Sequence, residues 1–364
     1  MITFLLLALL VVSLLLWIVA VKVKTIPPGT PDGPTSCTPI GPAWLRLLIP
    51  VDPLAELLTA VVGAALVGIS LVLLALYATR QYAWVVFILT PFTVGFAASL
   101  LISCHCAPTR GQCVRAASLA VFTASLGFFV LGAEGFVCLL MAAPLAIPCA
   151  IVGALVAFLV QHSRREALPV TVGMLLCVLP LIATVEPALL AAPPPLTVQT
   201  SIEIDAPPAT VWAHLVKFEP IAAPLDSWLF KAGVAYPISA ELRGRGVGAV
   251  RVCEFSTGTF VETIRQWDVD RELAFTIDEA PPPLREWTPY ENVHPPHLHG
   301  YFLPESADFR LVALGVHRTR LEGTSVYRNR MWPVGYWRLW SDAMVKQVHL
   351  RVFQHVKRLA EADG

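Results

Sequence analysis

At 364 residues the chain is long enough for two domains of ordinary size. Hydrophobic residues make up 56% and charged residues 14%, the formal net charge is +0, and no basic stripe interleaves with aromatics; this excludes the electrostatic footprint of a nucleic-acid binder. Of eight cysteines only Cys253 lies beyond Leu196, which excludes a disulfide framework in the C-terminal half.

The average composition hides a division. Six of 26 acidic and eight of 26 basic residues precede Leu196, so the front half is almost uncharged. A bilayer core about 30 Å thick needs about 20 apolar residues in helix, and the hydropathy predicts about six spans. The first covers Ile2 to Val21; it lacks the positive start and small-residue cleavage site of a signal peptide, and its apolar run is too long for one. The second covers Leu54 to Ala78, and the third Ala83 to Ser103 with a kink expected at Pro91 and Gly95. The tract from Ala116 to Gln161, whose only charged residue is Glu134, is too long for one span and must fold back. Met141 to Pro144 is the predicted hairpin. The last span, Pro169 to about Leu190, runs into the stiff linker Pro193, Pro194 and Pro195.

Lys22, Lys24, Arg46, Arg110, Arg115, Arg164 and Arg165 fall on one side of six spans and Arg80 on the other. The positive-inside rule makes the first side cytoplasmic, and the C-terminal half extracytoplasmic. The inference depends on the parity of the span count. Glu134, flanked by Gly132 and Gly135, is the intramembrane candidate for a proton or substrate pathway, since a carboxylate at membrane depth is costly; the alternative is a hydrogen-bonded residue locking helices together. Glu186 is expected near an interface. Cys104, His105, Cys106 and Cys113 carry metal-capable side chains, but their spacing matches no usual zinc pattern, and no metal is expected there.

From Val198 the pattern turns from continuous to alternating. A strand is predicted from Thr197 to Asp205, with Val198, Thr200, Ile202 and Ile204 on one face, and a helix from Ala209 to Lys217 after Pro207 and Pro208. Strands follow at Tyr236 to Arg243, Gly248 to Ser256, Thr259 to Asp268, Glu272 to Asp278, Ala307 to Gly315 and His317 to Arg328. One long helix runs from Pro333 to about Ala360. The order implies an α+β layout with helices on one face of an antiparallel sheet.

Ile202 to Trp212, reading IEIDAPPATVW, resembles the opening of the START-like superfamily, the helix-grip domains also called SRPBCC or polyketide cyclase/dehydrase-like. Trp267 and Asp268 followed by Arg271 to Phe275 look like the family's turn between strands, and Thr319 to Gly323 like its last strand. The resemblance covers Thr197 to Glu361 and none of the membrane half. It implies a curved sheet around a long C-terminal helix, enclosing a hydrophobic cavity for a lipid, sterol or polyketide. The expected organisation is a membrane domain over 1–192, a linker over 193–196 and the START-like domain over 197–364.

Candidate site residues follow from that expectation. Tyr336, Trp340, Met344 and Val348 recur at steps of four on the long helix, with Trp337 beside them; aromatics over a cavity and a plain packed core look alike at this level. The segment from Ala280 to Phe302 carries His294, His297, His299 and Tyr301. Its prolines favour a stiff flap over the cavity mouth above a metal site or simple loop packing. Arg251 and Glu262, charged residues within strands, are the candidate polar groups of an apolar pocket; an outward, solvated Arg251 is the alternative. No cofactor is implied.

Three functions remain open. The domain binds or transfers a hydrophobic ligand at the membrane, with membrane lipid or an apolar small molecule as partner; or it is a cyclase, dehydratase or hydrolase using His297, His299, Glu262 or Arg251; or it is a sensor coupled to the membrane helices. The expected location is a bacterial plasma membrane, multi-pass.

Overall fold

The computed structural model describes residues 43–78, 82–163, 181–182, 185–186, 188, 192–290 and 295–363. They fall into two compact units, one up to residue 190 and one comprising 191–364 with the short segment 135–137. The predicted span Ile2 to Val21 and most of Pro169 to Leu190 lie outside the described residues.

The first unit contains the short helix α1 (Ala43–Leu48), then α2 (Pro53–Ala78), a π-helical turn at Val85–Leu89, α3 (Thr90–Leu101), α4 (Arg110–Val130) and α5 (Phe136–Ser163). Among the described residues three stretches, Pro53–Leu76, Arg110–Val130 and Phe136–His162, are long and apolar enough to cross a membrane, and Val85–Leu101 is a shorter apolar helix. Asp52 caps α2 by accepting from the backbone of Leu54 and Ala55, and Thr109 with Gln112 forms a capping box at the start of α4.

Two sequence expectations are corrected here. The long apolar tract folds back between Val130 and Phe136, at a turn where Gly132 takes φ 63°, and not at Met141 to Pro144. Pro144 and Pro148 lie inside the continuous helix α5, because an apolar environment leaves neighbouring helices to satisfy the carbonyls a proline frees. Glu134 consequently sits in the corner between α4 and α5, not within a span. It is buried there and accepts a 2.8 Å bond from the hydroxyl of Tyr82. Glu186 is also buried, accepting from the backbone N–H of Val85. His105 bonds the carbonyl of Ile49 at 2.9 Å, and Cys106 is disulfide-bonded, so two members of the cysteine-histidine group are engaged elsewhere.

Helices α3 and α5 touch backbone to backbone. A Cβ added to Gly95 would lie 1.8 Å from the carbonyl oxygen of Ala150, and one added to Gly153 would lie 2.0 Å from that of Phe92. Small residues at such a crossing let helices gain dispersion energy where lipid supplies no hydrophobic drive. Gly95→Leu is therefore expected to force the pair apart and cost at least about 1–3 kcal/mol, read as loss of monodisperse protein and a lower melting temperature in detergent. Unchanged melting would show that the approach is not needed.

The second unit is a seven-stranded antiparallel sheet: β1 (Leu196–Ile204), β2 (Pro237–Arg243), β3 (Val250–Phe255), β4 (Gly258–Asp268), β5 (Glu272–Glu279), β6 (Phe302–Gly315) and β7 (Arg318–Asn329), in the order β1-β7-β6-β5-β4-β3-β2. Helices α6 (Pro208–Val216) and α7 (Trp228–Lys231) join β1 to β2, and α8 (Val334–Ala362) closes the chain. Register shifts within β4 and β6 mark bulges, which bend strands and deepen the curl of the sheet. The sheet curls into a half-barrel around α8.

The alternating burial of β1, with Leu196, Val198 and Ile204 inward, matches the predicted face. Helix α6 starts with Pro208, whose missing N–H costs nothing in a first turn, and buries Val211, Trp212, Leu215 and Val216. Trp212 meets Trp267 of β4 edge-on at 5.4 Å. The core continues through Ile264, Leu273, Phe309 and Leu321 to Phe353 and Val356 of α8. Strand β6 begins at Phe302, five residues before the predicted start at Ala307; Pro304 reads as a strand breaker, and it is accommodated at the β6 bulge.

Candidate functional site

The concave face of the sheet and one stripe of α8 leave a cavity of about 130 Å³ between them. That is roughly ten times the space one water molecule needs. Its walls are mainly aromatic and aliphatic: Phe255, Phe260, Phe275, Ile277, Phe302 and Phe309 come from the strands, and Met344, Val345, Val348 and Val352 from α8. Val234, Ala235 and Pro283 also line it. These last are held by strand-like bonds, Ala235 N–H to Pro283 C=O at 2.9 Å and Arg285 N–H to Gly233 C=O at 2.8 Å.

Arg251 and Glu262 bring charge into this apolar space. They are paired residues on adjacent strands, β3 and β4, so their side chains rise side by side on one face. Both line the cavity, and Arg251 is only 2% exposed. The Arg251 Nη1 donates to Glu262 Oε2 at 2.6 Å and its Nε to the carbonyl of Val216 at 3.2 Å. The guanidinium carbon stands 5.6–5.9 Å from the ring centres of Phe218, Phe275 and Phe309, where ring faces favour a cation. Burial raises the Glu262 carboxyl above the ordinary carboxylate range, while Arg251 pulls it back. A guanidinium stays protonated in proteins and is costly to bury without an adjacent counter-charge, so the pair keeps its opposite charges. The Cys253 thiol, 3.5 Å from the same carboxylate oxygen, is pushed up by burial and stays neutral.

On the helix side His349 bridges Ser325 at 2.8 Å and Thr200 at 3.2 Å. Burial lowers its imidazole to about 4. Its folded value lies below the unfolded one, near 6.5, so the unfolded chain binds the extra proton between the two. Stability present above pH 6.5 is then lost as pH falls toward 4, by up to ~3 kcal/mol. His349→Gln should show a smaller drop in melting temperature between pH 7 and pH 4.5 than the unaltered protein; equal drops would rule the assignment out. Sequence patterning gave no sign of His349, since a lone histidine in a mixed helix carries no distinguishing context. Tyr327 also lines the cavity, with its hydroxyl donating to Asp342 at 2.6 Å.

The other candidates lie elsewhere. Trp337 is buried and stacked edge-on with Tyr336, and Trp340 meets Trp228 edge-on at 6.5 Å; none of Tyr336, Trp337 and Trp340 is a lining residue. His297 is buried in a 3₁₀ turn at Pro296–Leu298, His299 is exposed and Tyr301 half-buried, and none of the three lines the cavity. Among the described residues of that segment only Pro283 and Phe302 reach it. His294 lies outside the described residues.

A family model described as polyketide cyclase/dehydrase and lipid transport matches residues 195–295. No curated protein matches the chain. Among solved structures, norcoclaurine synthase from Thalictrum flavum is similar over 48% of this chain and 99% of its own, at 12% identity and a TM-score of 0.31. The Zhui aromatase/cyclase from a Streptomyces species is similar over 47% of this chain and 99% of its own, at 15% identity and a TM-score of 0.30. The C-terminal half thus matches the polyketide cyclase/dehydrase and lipid transport family over residues 195–295, and its seven-stranded antiparallel sheet curled around a long closing helix agrees with the helix-grip layout that the START-like resemblance implied.

Proposed function

We propose that the protein binds a hydrophobic small molecule in the C-terminal cavity and exchanges it with the membrane that its N-terminal helices enter. The observation that carries this reading is the cavity itself, walled by phenylalanines and aliphatic side chains with polar atoms confined to a few places, as in small-molecule sites generally. Tethering raises the encounter rate with a membrane-borne ligand without any new contact. The test is to purify the full chain in detergent and identify bound molecules by mass spectrometry after denaturation. One apolar class recovered near stoichiometric amount is the expected result; well-folded protein that yields nothing would refute it.

An enzymatic reading is favoured by one observation, the carboxyl of Glu262 held above its ordinary range inside the cavity. In that reading Glu262, ionised beside Arg251, acts as general base toward a ligand hydroxyl or an acidic C–H. Turnover lost in Glu262→Gln with binding retained would distinguish it from simple carriage.

The side of the membrane is part of the proposal. The disulfide at Cys106 supports an oxidising compartment for the loop between α3 and α4, opposite to the orientation expected from the Lys and Arg count. Counting onward through α4, α5 and the predicted span from Pro169 to Leu190 then puts the C-terminal domain in the cytoplasm. A fluorescent-protein fusion at Gly364 that is bright, with an inactive alkaline phosphatase fusion at the same point, is the expected outcome; the reverse pattern restores the extracytoplasmic placement.

A further inference from the structure

We propose that the cavity selects an uncharged apolar molecule carrying one group that both donates and accepts a hydrogen bond, a hydroxyl or an amide, and discriminates against anions. This rests on the cavity being the ligand site, and it follows from the charge and the open valences of its polar groups.

Five lining residues are titratable: Arg251, Cys253, Glu262, Tyr327 and His349. The guanidinium and the carboxylate cancel at 2.6 Å, and the thiol, the phenol and the imidazole are uncharged at neutral pH. Among the described residues the cavity lining therefore has no net charge to offer an anionic ligand. A carboxylate or sulfonate entering it would lose its hydration, and Glu262 would repel it as strongly as Arg251 attracts it.

What the pair does offer is hydrogen bonding. Glu262 accepts through Oε2 alone, from Arg251 and Cys253, and its Oε1 has no protein partner among the described residues. Arg251 donates through Nη1 and Nε, and its Nη2 has none among the described residues. An acceptor and a donor thus stand side by side on two facing strand positions, on a carboxylate and a guanidinium that are both buried. A hydroxyl gives its proton to Oε1 and its lone pair to Nη2; an amide uses its N–H and C=O in the same two roles. Hydrogen bonds to charged groups are the stronger kind, and here they cost the protein little further desolvation because the pair is already out of water.

The experiment compares three probes of one body, naphthalene, 2-naphthol and 2-naphthalenesulfonate, titrated against the full chain in detergent, with Ala307→Trp as the filled-cavity blank. The unaltered protein should bind 2-naphthol about tenfold more tightly than naphthalene, and the sulfonate more weakly than either. Glu262→Gln leaves the guanidinium unneutralised and should reverse the order in favour of the sulfonate. Because that variant leaves a buried charge uncompensated, the double variant Arg251→Met/Glu262→Leu provides a second reading: it should bind naphthalene as before and lose the preference for 2-naphthol. Sulfonate bound as tightly as 2-naphthol by the unaltered protein, or a double variant that keeps the full 2-naphthol preference, overturns the inference while leaving the cavity as a site. If no probe binds more tightly than it does to the Ala307→Trp blank, the cavity reading itself fails, and the inference with it.

Discussion

Removing one member of the Arg251–Glu262 pair is expected to destabilise the C-terminal domain far more than removing both. Glu262→Leu strands a guanidinium that is 2% exposed and has no other carboxylate near it among the cavity-lining residues. The loss of a partner from a buried ion pair costs about 3–5 kcal/mol, a large share of the stability of an ordinary domain. Arg251→Met alone should cost less, because the Glu262 carboxyl, already raised by burial, can take up a proton and neutralise itself. The double variant Arg251→Met/Glu262→Leu places apolar side chains among Phe218, Phe275 and Phe309, which already surround the guanidinium. It should recover most of the loss. Chemical denaturation of the three variants checks this order. A double variant as unstable as Glu262→Leu would mean that the pair holds the sheet together and is not kept for binding.

Filling the cavity is the second large effect. Ala307 sits on β6 between Phe275 of β5 and Ser325 of β7, and all three line the space. Ala307→Trp projects an indole into a volume of about 130 Å³. Overpacking a filled core costs about 1–3 kcal/mol, but here the added ring enters space that is not occupied by side chains. Ligand binding should therefore fall below detection while the melting temperature changes by only a few degrees. A variant that still carries its molecule would place the site outside the cavity; one that unfolds would show the volume to be smaller under the sheet than its walls indicate.

Much of the fold was legible in the chain because its periodicities are physical. Continuous apolar runs near α2, α4 and α5, long and apolar enough to cross a membrane, and the alternation from Val198 onward are two distinct patterns, each readable from the residues alone. The strand order was not written there. Neither was the position of the fold-back between α4 and α5. Proline at 144 and 148 argued for a break at Met141 to Pro144, yet the helix passes through both, since whether a freed carbonyl finds a partner depends on neighbours and not on the local sequence.

The site divides in the same way. Alternation placed Arg251, Cys253 and Phe255 on one face of β3, but which face looked inward depends on how the sheet curls, and only the folded domain turns that face to the cavity. On α8 the steps of four joined Tyr336, Trp340, Met344 and Val348 into one row. Each step drifts by about 40° on a helix of 3.6 residues per turn, so three steps carry the row about a third of the way around. Met344 and Val348 reach the cavity and the aromatic end of the row does not.

By itself the sequence determined where a nearly uncharged apolar half gives way to a charged, alternating one, where most of the described strands and helices lie, and the resemblance of the C-terminal half to the START-like superfamily. Tertiary structure alone decided which charged residues meet, how much space lies beneath the long helix, and which polar groups face it. The reason is that secondary structure answers to neighbours a few residues away, whereas a cavity and its net charge are sums over side chains brought together from distant parts of the chain.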